Sequence, residues 1–208
     1  MGRVEQPQNA GKEKRLRLFV AVLLPPAWLT ALEAVQRDLR AAGLRLRYVR
    51  PDGVHLTLTF LGDVPAGRLA EINDALAEAV PRASAFDLAL DGLGTFGPAR
   101  RPRVVWVGVG GDHAQLSTAH QTIDAALSRR GFPPEVRAFN PHLTLARVPE
   151  DLSAEDAARI VPALAGITPL SAERHHVASV SLMQSHLGPG GARYDELGSW
   201  MLASAEEM

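Results

Sequence analysis

The sequence contains no cysteine, which excludes disulfides, thiolate metal sites and a cysteine nucleophile together. Net charge is also nearly absent: 22 Lys and Arg stand against 23 Asp and Glu, a balance of -1. No global basic field therefore draws in a long phosphate backbone, and any nucleic acid has to be met locally, at a few phosphates. The apolar run LRLFVAVLL falls far short of the roughly 20 residues that a membrane-spanning helix needs. The start, MGRVEQPQNAGKEKR, is polar and charged, and Gln6 stands where a myristoylation signal needs Ser or Thr. These absences predict a cytoplasmic chain, without membrane attachment, whose first 14 residues form a flexible leader. What is present is ordinary for a globular protein, with 46% apolar and 22% charged residues. At this length roughly 70% of the unfolded surface can be buried on folding, so no metal or disulfide staple is required.

Hydrophobic spacing sets out the elements. Residues 16–24 form a continuous apolar run closed by Pro25-Pro26, the pattern of a strand buried on both faces. Leu29, Leu32, Val35 and Leu39 then recur at helical spacing over 27–42, with Gly43 as the stop. A short strand is predicted over 44–49 and another over 54–61, closed by Gly62-Asp63, followed by a helix over 67–80. The second half repeats this order broadly: strands over 86–90 and 104–109 separated by the turn-rich stretch 92–98, then a helix over 114–130 and a strand over 141–148. A helix over 151–164 opened by Ser153, a strand over 177–186 and an edge strand over 194–200 complete the chain. No long linker divides the halves. One domain of two lobes sharing a cleft is expected over 15–200, with a short tail over 201–208.

The tetrapeptide His-Leu-Thr-Leu occurs twice, at 55–58 within HLTLTFLGD and at 142–145 within NPHLTLARVP. On a strand, positions i and i+2 share a face. His55 and Thr57 therefore point one way while Leu56 and Leu58 pack the other, and His142 and Thr144 repeat the arrangement against Leu143 and Leu145. One such strand is unremarkable. Two copies in equivalent places could record duplication alone, but ancestry does not explain why the titratable and hydroxyl positions are kept with the apolar ones. If the halves face each other, two imidazoles and two hydroxyls converge. A pair of histidines can then supply one base and one acid near neutral pH, and the hydroxyls can donate to non-bridging phosphate oxygens. That chemistry suits a phosphodiester.

The paired motifs resemble those of the 2H phosphoesterases, and specifically the RNA 2′,3′-cyclic phosphodiesterase group historically called 2′-5′ RNA ligases. The likeness extends through LRLFVAVLLP, GTFGPARRPRVVWVGV and SLMQSHLGPGGARY. The resemblance implies an α+β fold of two pseudo-symmetric lobes, antiparallel sheets lining a central cleft, helices outside, and no cofactor or metal. It implies His142 as the base that activates water and His55 as the acid that protonates the departing 3′ oxygen, with Thr57, Thr144 and Arg147 binding phosphate. The partners implied are RNA ends or small nucleotides bearing a 2′,3′-cyclic phosphate, bound by a monomer. The reverse reaction, joining RNA through a 2′-5′ linkage, and non-catalytic binding of RNA ends are the alternatives.

Arg147 lies five residues after His142, an odd offset that strict alternation would put on the opposite face, so the strand must end or twist near Ala146. Phe60 holds the same offset from His55 and is expected in the core, with a base or ribose contact as the alternative; Phe19 and Tyr194 are further candidates for such contacts. Two arginine clusters, Arg45, Arg47 and Arg50, and Arg100, Arg101 and Arg103, are solvated faces or supports for an RNA tail. His175, His176 and His186 suggest a metal, but adjacent strand histidines point apart and no carboxylate set completes a site. His113 and His120 read as surface residues of the third helix, and Gly188-Pro189-Gly190-Gly191 as a turn without the Lys-Ser/Thr of a phosphate loop.

Overall fold

A computed structural model describes residues 13–167, 172–188 and 191–204. Nearly all of the expected leader, the centre of the Gly188–Gly191 turn and the last four residues of the expected tail lie outside the described residues. The elements follow the chain as β1 (Arg15–Val22), α1 (Pro26–Ala41), β2 (Arg47–Tyr48), β3 (Leu56–Pro65), α2 (Leu69–Ala79), β4 (Phe86–Phe96) and β5 (Val104–Gly111). They continue as α3 (His113–Arg129), β6 (His142–Arg147), α4 (Ala154–Ala165), β7 (His175–Val177), β8 (Ser179–Gly188) and β9 (Gly191–Met201). Ser153 caps α4 as its position suggests: its hydroxyl accepts the Asp156 backbone N–H at 3.0 Å.

The described strands join in one antiparallel sheet of order β7-β4-β5-β6-β3-β1-β8-β9, with β2 also paired to β6. The expected two lobes are the two halves of this sheet. Their junction is narrow: β3 and β6 share the single pair Leu56 opposite Leu143. The apolar residues of both tetrapeptides thus meet at the seam. One face of the sheet carries the main core, including Leu18, Val20, Leu56, Leu58, Val105, Val107, Leu143, Leu145 and Val180, against which the buried stripes of the helices pack. The other face carries a small buried cluster of Phe19, Ala21 and Met183 with Tyr194 beside it, and it is the face that carries the polar residues of the tetrapeptides.

The alternation fails at one equivalent place in each half. In β3, Ala21 pairs with Thr57 and Val20 with Thr59, leaving Leu58 as an extra residue. In β6, Trp106 pairs with Thr144 and Val105 with Ala146, leaving Leu145 as the extra residue. Each is a bulge at the fourth position of the tetrapeptide, and each puts two consecutive residues into the core: Leu58 with Thr59, and Leu145 with Ala146. The parity then flips. Phe60 and Arg147 return to the histidine face, so β6 neither ends nor merely twists at Ala146.

Both bulges are braced by a side-chain hydrogen bond between strand and helix. Gln36 of α1 donates through Nε2 to the carbonyls of Val49, at 2.8 Å, and Leu145, at 3.0 Å. Thr59 donates to the carboxylate of Asp124 on α3 at 2.7 Å. Buried polar groups persist only when satisfied, so these bonds hold the irregular strands in place.

Several boundaries depart from the sequence reading. Gly62-Asp63 does not close β3; Gly62, at φ 67°, lies where β1 and β3 slip register, and pairing continues to Pro65. The stretch 92–98 is mostly the end of β4, not a turn, with its own register shift between Asp91 and Leu93. Residues 201–204 do not hang free: Leu202 is buried and Ala203 exchanges backbone hydrogen bonds with Ala83 and Ala85.

Candidate active site

Counting outward from Leu56 opposite Leu143 sets His55 against Thr144 and Thr57 against His142, all four on the face away from the core. In a regular ladder, diagonal positions such as the two histidines are about 7–8 Å apart at Cα. Their proximity is also electrostatic, since the charge of His142 acts on His55. The two histidines come from opposite halves of one cleft, as the repeated motif predicts.

Both rings are oriented by the same local device. His55 Nδ1 lies 2.9 Å from the Gly53 carbonyl and His142 Nδ1 lies 2.7 Å from the Asn140 carbonyl. A carbonyl can only accept, so Nδ1 of each carries the proton and Nε2 is left for substrate. The accepting carbonyl sits two residues before the histidine in both halves.

Their surroundings differ. His55 stacks on Phe19 at 4.6 Å between ring centroids and meets the edge of Tyr194 at 4.9 Å. Burial in this apolar enclosure pushes its pKa down to about 4, with the Gly53 carbonyl opposing the shift and the nearby His142 adding to it. Among the described residues His142 has one aromatic neighbour, Phe96, edge-on at 4.7 Å. The small size of Gly53 is used here: a Cβ at this position would meet the Tyr194 ring at 3.3 Å. Burial raises the Tyr194 phenol above its ordinary value while Arg147 and Arg17 pull it back, so Tyr194 stays a neutral donor and both arginines lie near it. Arg147, although at the far end of β6, thereby addresses the pocket of His55.

Of the expected nucleotide contacts, Tyr194 lines the cleft and Phe60 is 50% exposed on its surface instead of lying in the core. Phe19 is 2% exposed; it lies beneath His55, closed off from a nucleotide by its neighbours on β3 and β8. His120 is not a surface residue: its ring stacks on Phe139 at 4.1 Å and Nε2 lies 3.7 Å from Asp124. His176 pairs with Asp87 at 2.7 Å, His186 with Asp195 at 2.9 Å, and His175 packs against Trp28. No cluster of three potential metal ligands occurs among the described residues.

Sequence reading missed Gly53, Asn140, Phe96, Gln36 and Asp124. The first two could have been found by aligning the flanks of the two tetrapeptides. The others come from elements remote in sequence and carry no local signal.

A family model described as the 2′-5′ RNA ligase superfamily matches residues 24–188. RNA 2′,3′-cyclic phosphodiesterase of Methanothermobacter thermautotrophicus is 31% identical over 88% of this chain and 97% of its own length. The protein of the same name from Aeropyrum pernix is 34% identical over 80% of this chain and 92% of its own. Among solved structures, E. coli LigT in its apo form superposes with a TM-score of 0.72 at 27% identity, covering 91% of this chain and 98% of LigT. TT0787 of Thermus thermophilus gives 0.74 at 26%, covering 91% and 100%.

Proposed function

Because the chain belongs to the 2′-5′ RNA ligase superfamily, we propose that its cleft hydrolyses RNA 2′,3′-cyclic phosphate ends to 2′-phosphates. The observation that carries this reading is the pair of histidines, each fixed through Nδ1 to a backbone carbonyl and each offering Nε2 to one cleft. His142 takes a proton from water, and the resulting oxygen attacks phosphorus. The bond from phosphorus to the 3′ oxygen breaks, and His55 supplies the proton that this oxygen needs. Arg147 and the hydroxyls of Thr57 and Thr144 donate to the non-bridging oxygens, where charge accumulates.

With no anion beside it His55 is neutral at pH 7, since its pKa sits at about 4. An anion placed beside it favours the protonated ring. The acid is therefore charged by substrate binding: the phosphate brings His55 its proton from solvent. Product affinity should consequently rise as pH falls from neutrality, with net proton uptake on binding. A His55 ring that remains neutral with phosphate bound, as read by NMR, would exchange the acid and base roles of the two histidines.

The function is tested by incubating the protein with an RNA ending in a 2′,3′-cyclic phosphate and identifying the phosphorus resonance of the product. A 2′-phosphate is expected. A 3′-phosphate, or binding without turnover, would overturn the proposal, and adding 5′-hydroxyl RNA reads the ligation direction in the same assay.

A further inference from the structure

Arg47 on β2 stands directly opposite Arg147 on β6, and the next pair, Tyr48 opposite Ala146, turns toward the core. Both arginines are exposed on the cleft face. Like charges facing each other across an antiparallel pair are destabilising. Some arginines elsewhere are matched, Arg50, Arg68, Arg130 and Arg159 each holding a carboxylate at 3.4 Å or less, but none of these faces a second arginine across a strand pair. Among the described residues, no carboxylate forms an ion pair with Arg47 or Arg147. Two guanidinium groups side by side, without a counter-charge and next to a phosphodiester site, leave room for an anion to offset their repulsion.

We infer that Arg47 builds a second anion subsite beside Arg147, which takes the phosphate one nucleotide upstream of the cyclic end. This rests on the hydrolytic reading above. Arg147 reaches inward, since its charge acts on Tyr194 against His55. Arg47 lies directly across the strand pair from Arg147 on the same face, where a chain leaving the cleft would present its next phosphate. Such a contact reads backbone and not base. The ligand class is a phosphodiester, or a 5′-phosphate at the same distance.

The test compares Arg47→Gln with the parent protein on three substrates: a nucleoside 2′,3′-cyclic phosphate with a 5′-hydroxyl, the same with a 5′-phosphate, and a dinucleotide ending in the cyclic phosphate. The ratio of kcat/KM for dinucleotide over 5′-hydroxyl mononucleoside should fall by roughly 10-fold, mainly through KM. A matching fall for the 5′-phosphate substrate identifies any phosphate at that distance as the ligand; a fall for the dinucleotide alone identifies a diester. The melting temperature should not drop, because the substitution removes a repulsion. An unchanged ratio, or an equal loss on all three substrates, overturns the subsite. Should the parent turn over none of them, the hydrolytic reading fails separately. Binding of a 2′-phosphorylated dinucleotide then decides: Arg47→Gln should weaken it and flatten the dependence of log K on log salt by about 0.7, and equal affinity would refute the inference.

Discussion

Phe60 and Arg147 occupy the same place in the two halves of the cleft. Each lies five residues after its histidine, beyond a bulge at the fourth position of the same tetrapeptide, and each is returned to the histidine face by that bulge. One half thus presents an apolar ring where the other presents a cation. The histidines follow the same division: among the described residues His55 is enclosed by Phe19 and Tyr194, while His142 meets the single ring of Phe96. The two halves share one frame, and their side chains differ, an apolar wall on one side of the cleft facing a cationic one on the other.

The comparison breaks most severely at what the halves share. His55→Ala and His142→Ala should each lower turnover by roughly 10²- to 10⁴-fold with little change in melting temperature, despite their unlike surroundings. Unimpaired turnover in either variant would remove the paired mechanism. Exchanging what differs should be asymmetric. Arg147→Phe should cost on the order of 10² in kcat/KM, whereas Phe60→Arg should stay within about threefold; equal losses would show that the walls are interchangeable.

The braces sharpen the contrast further. Thr59→Val leaves the Asp124 carboxylate without its hydroxyl partner and should cost about 1–3 kcal/mol in urea unfolding. Gln36→Leu should cost a similar amount but also weaken phosphate binding, because Gln36 holds the bulge that aims Arg147. Phosphate affinity unaffected by Gln36→Leu would detach that brace from function. The smallest effect concerns protonation. Phe19→Leu opens the enclosure and should raise the His55 pKa from about 4 toward 6.5, as read by NMR titration. In the parent, the unfolded chain takes a proton on His55 that the native state refuses. This contribution to stability is therefore intact above about pH 6.5 and is lost as pH falls toward about 4. The variant should narrow that window.

Much of this was legible beforehand. The helical stripes of α1, α2 and α3 and the cap at Ser153 are local patterns of period 3.6 or of side chain to backbone, and the structure keeps them within a residue or two. The four polar positions of the tetrapeptides were visible because identical residues recur. Strand ends were less legible, since Gly62 and Gly92 look like turns in sequence but serve register shifts inside paired strands. A bulge leaves no mark in one strand alone, because the extra residue is defined by its partner.

The sequence by itself determined which groups are available for the proposed chemistry: imidazoles and hydroxyls at period-two spacing on apolar planks, with no thiol to compete. Tertiary structure decided how each behaves. Only pairing across β3 and β6 places the histidines together, and only the fold encloses His55 against rings from β1 and β9, 36 residues before it and 139 after. Local spacing sets which face a side chain takes, whereas proton affinity and reach depend on desolvation and on neighbours brought in from distant segments.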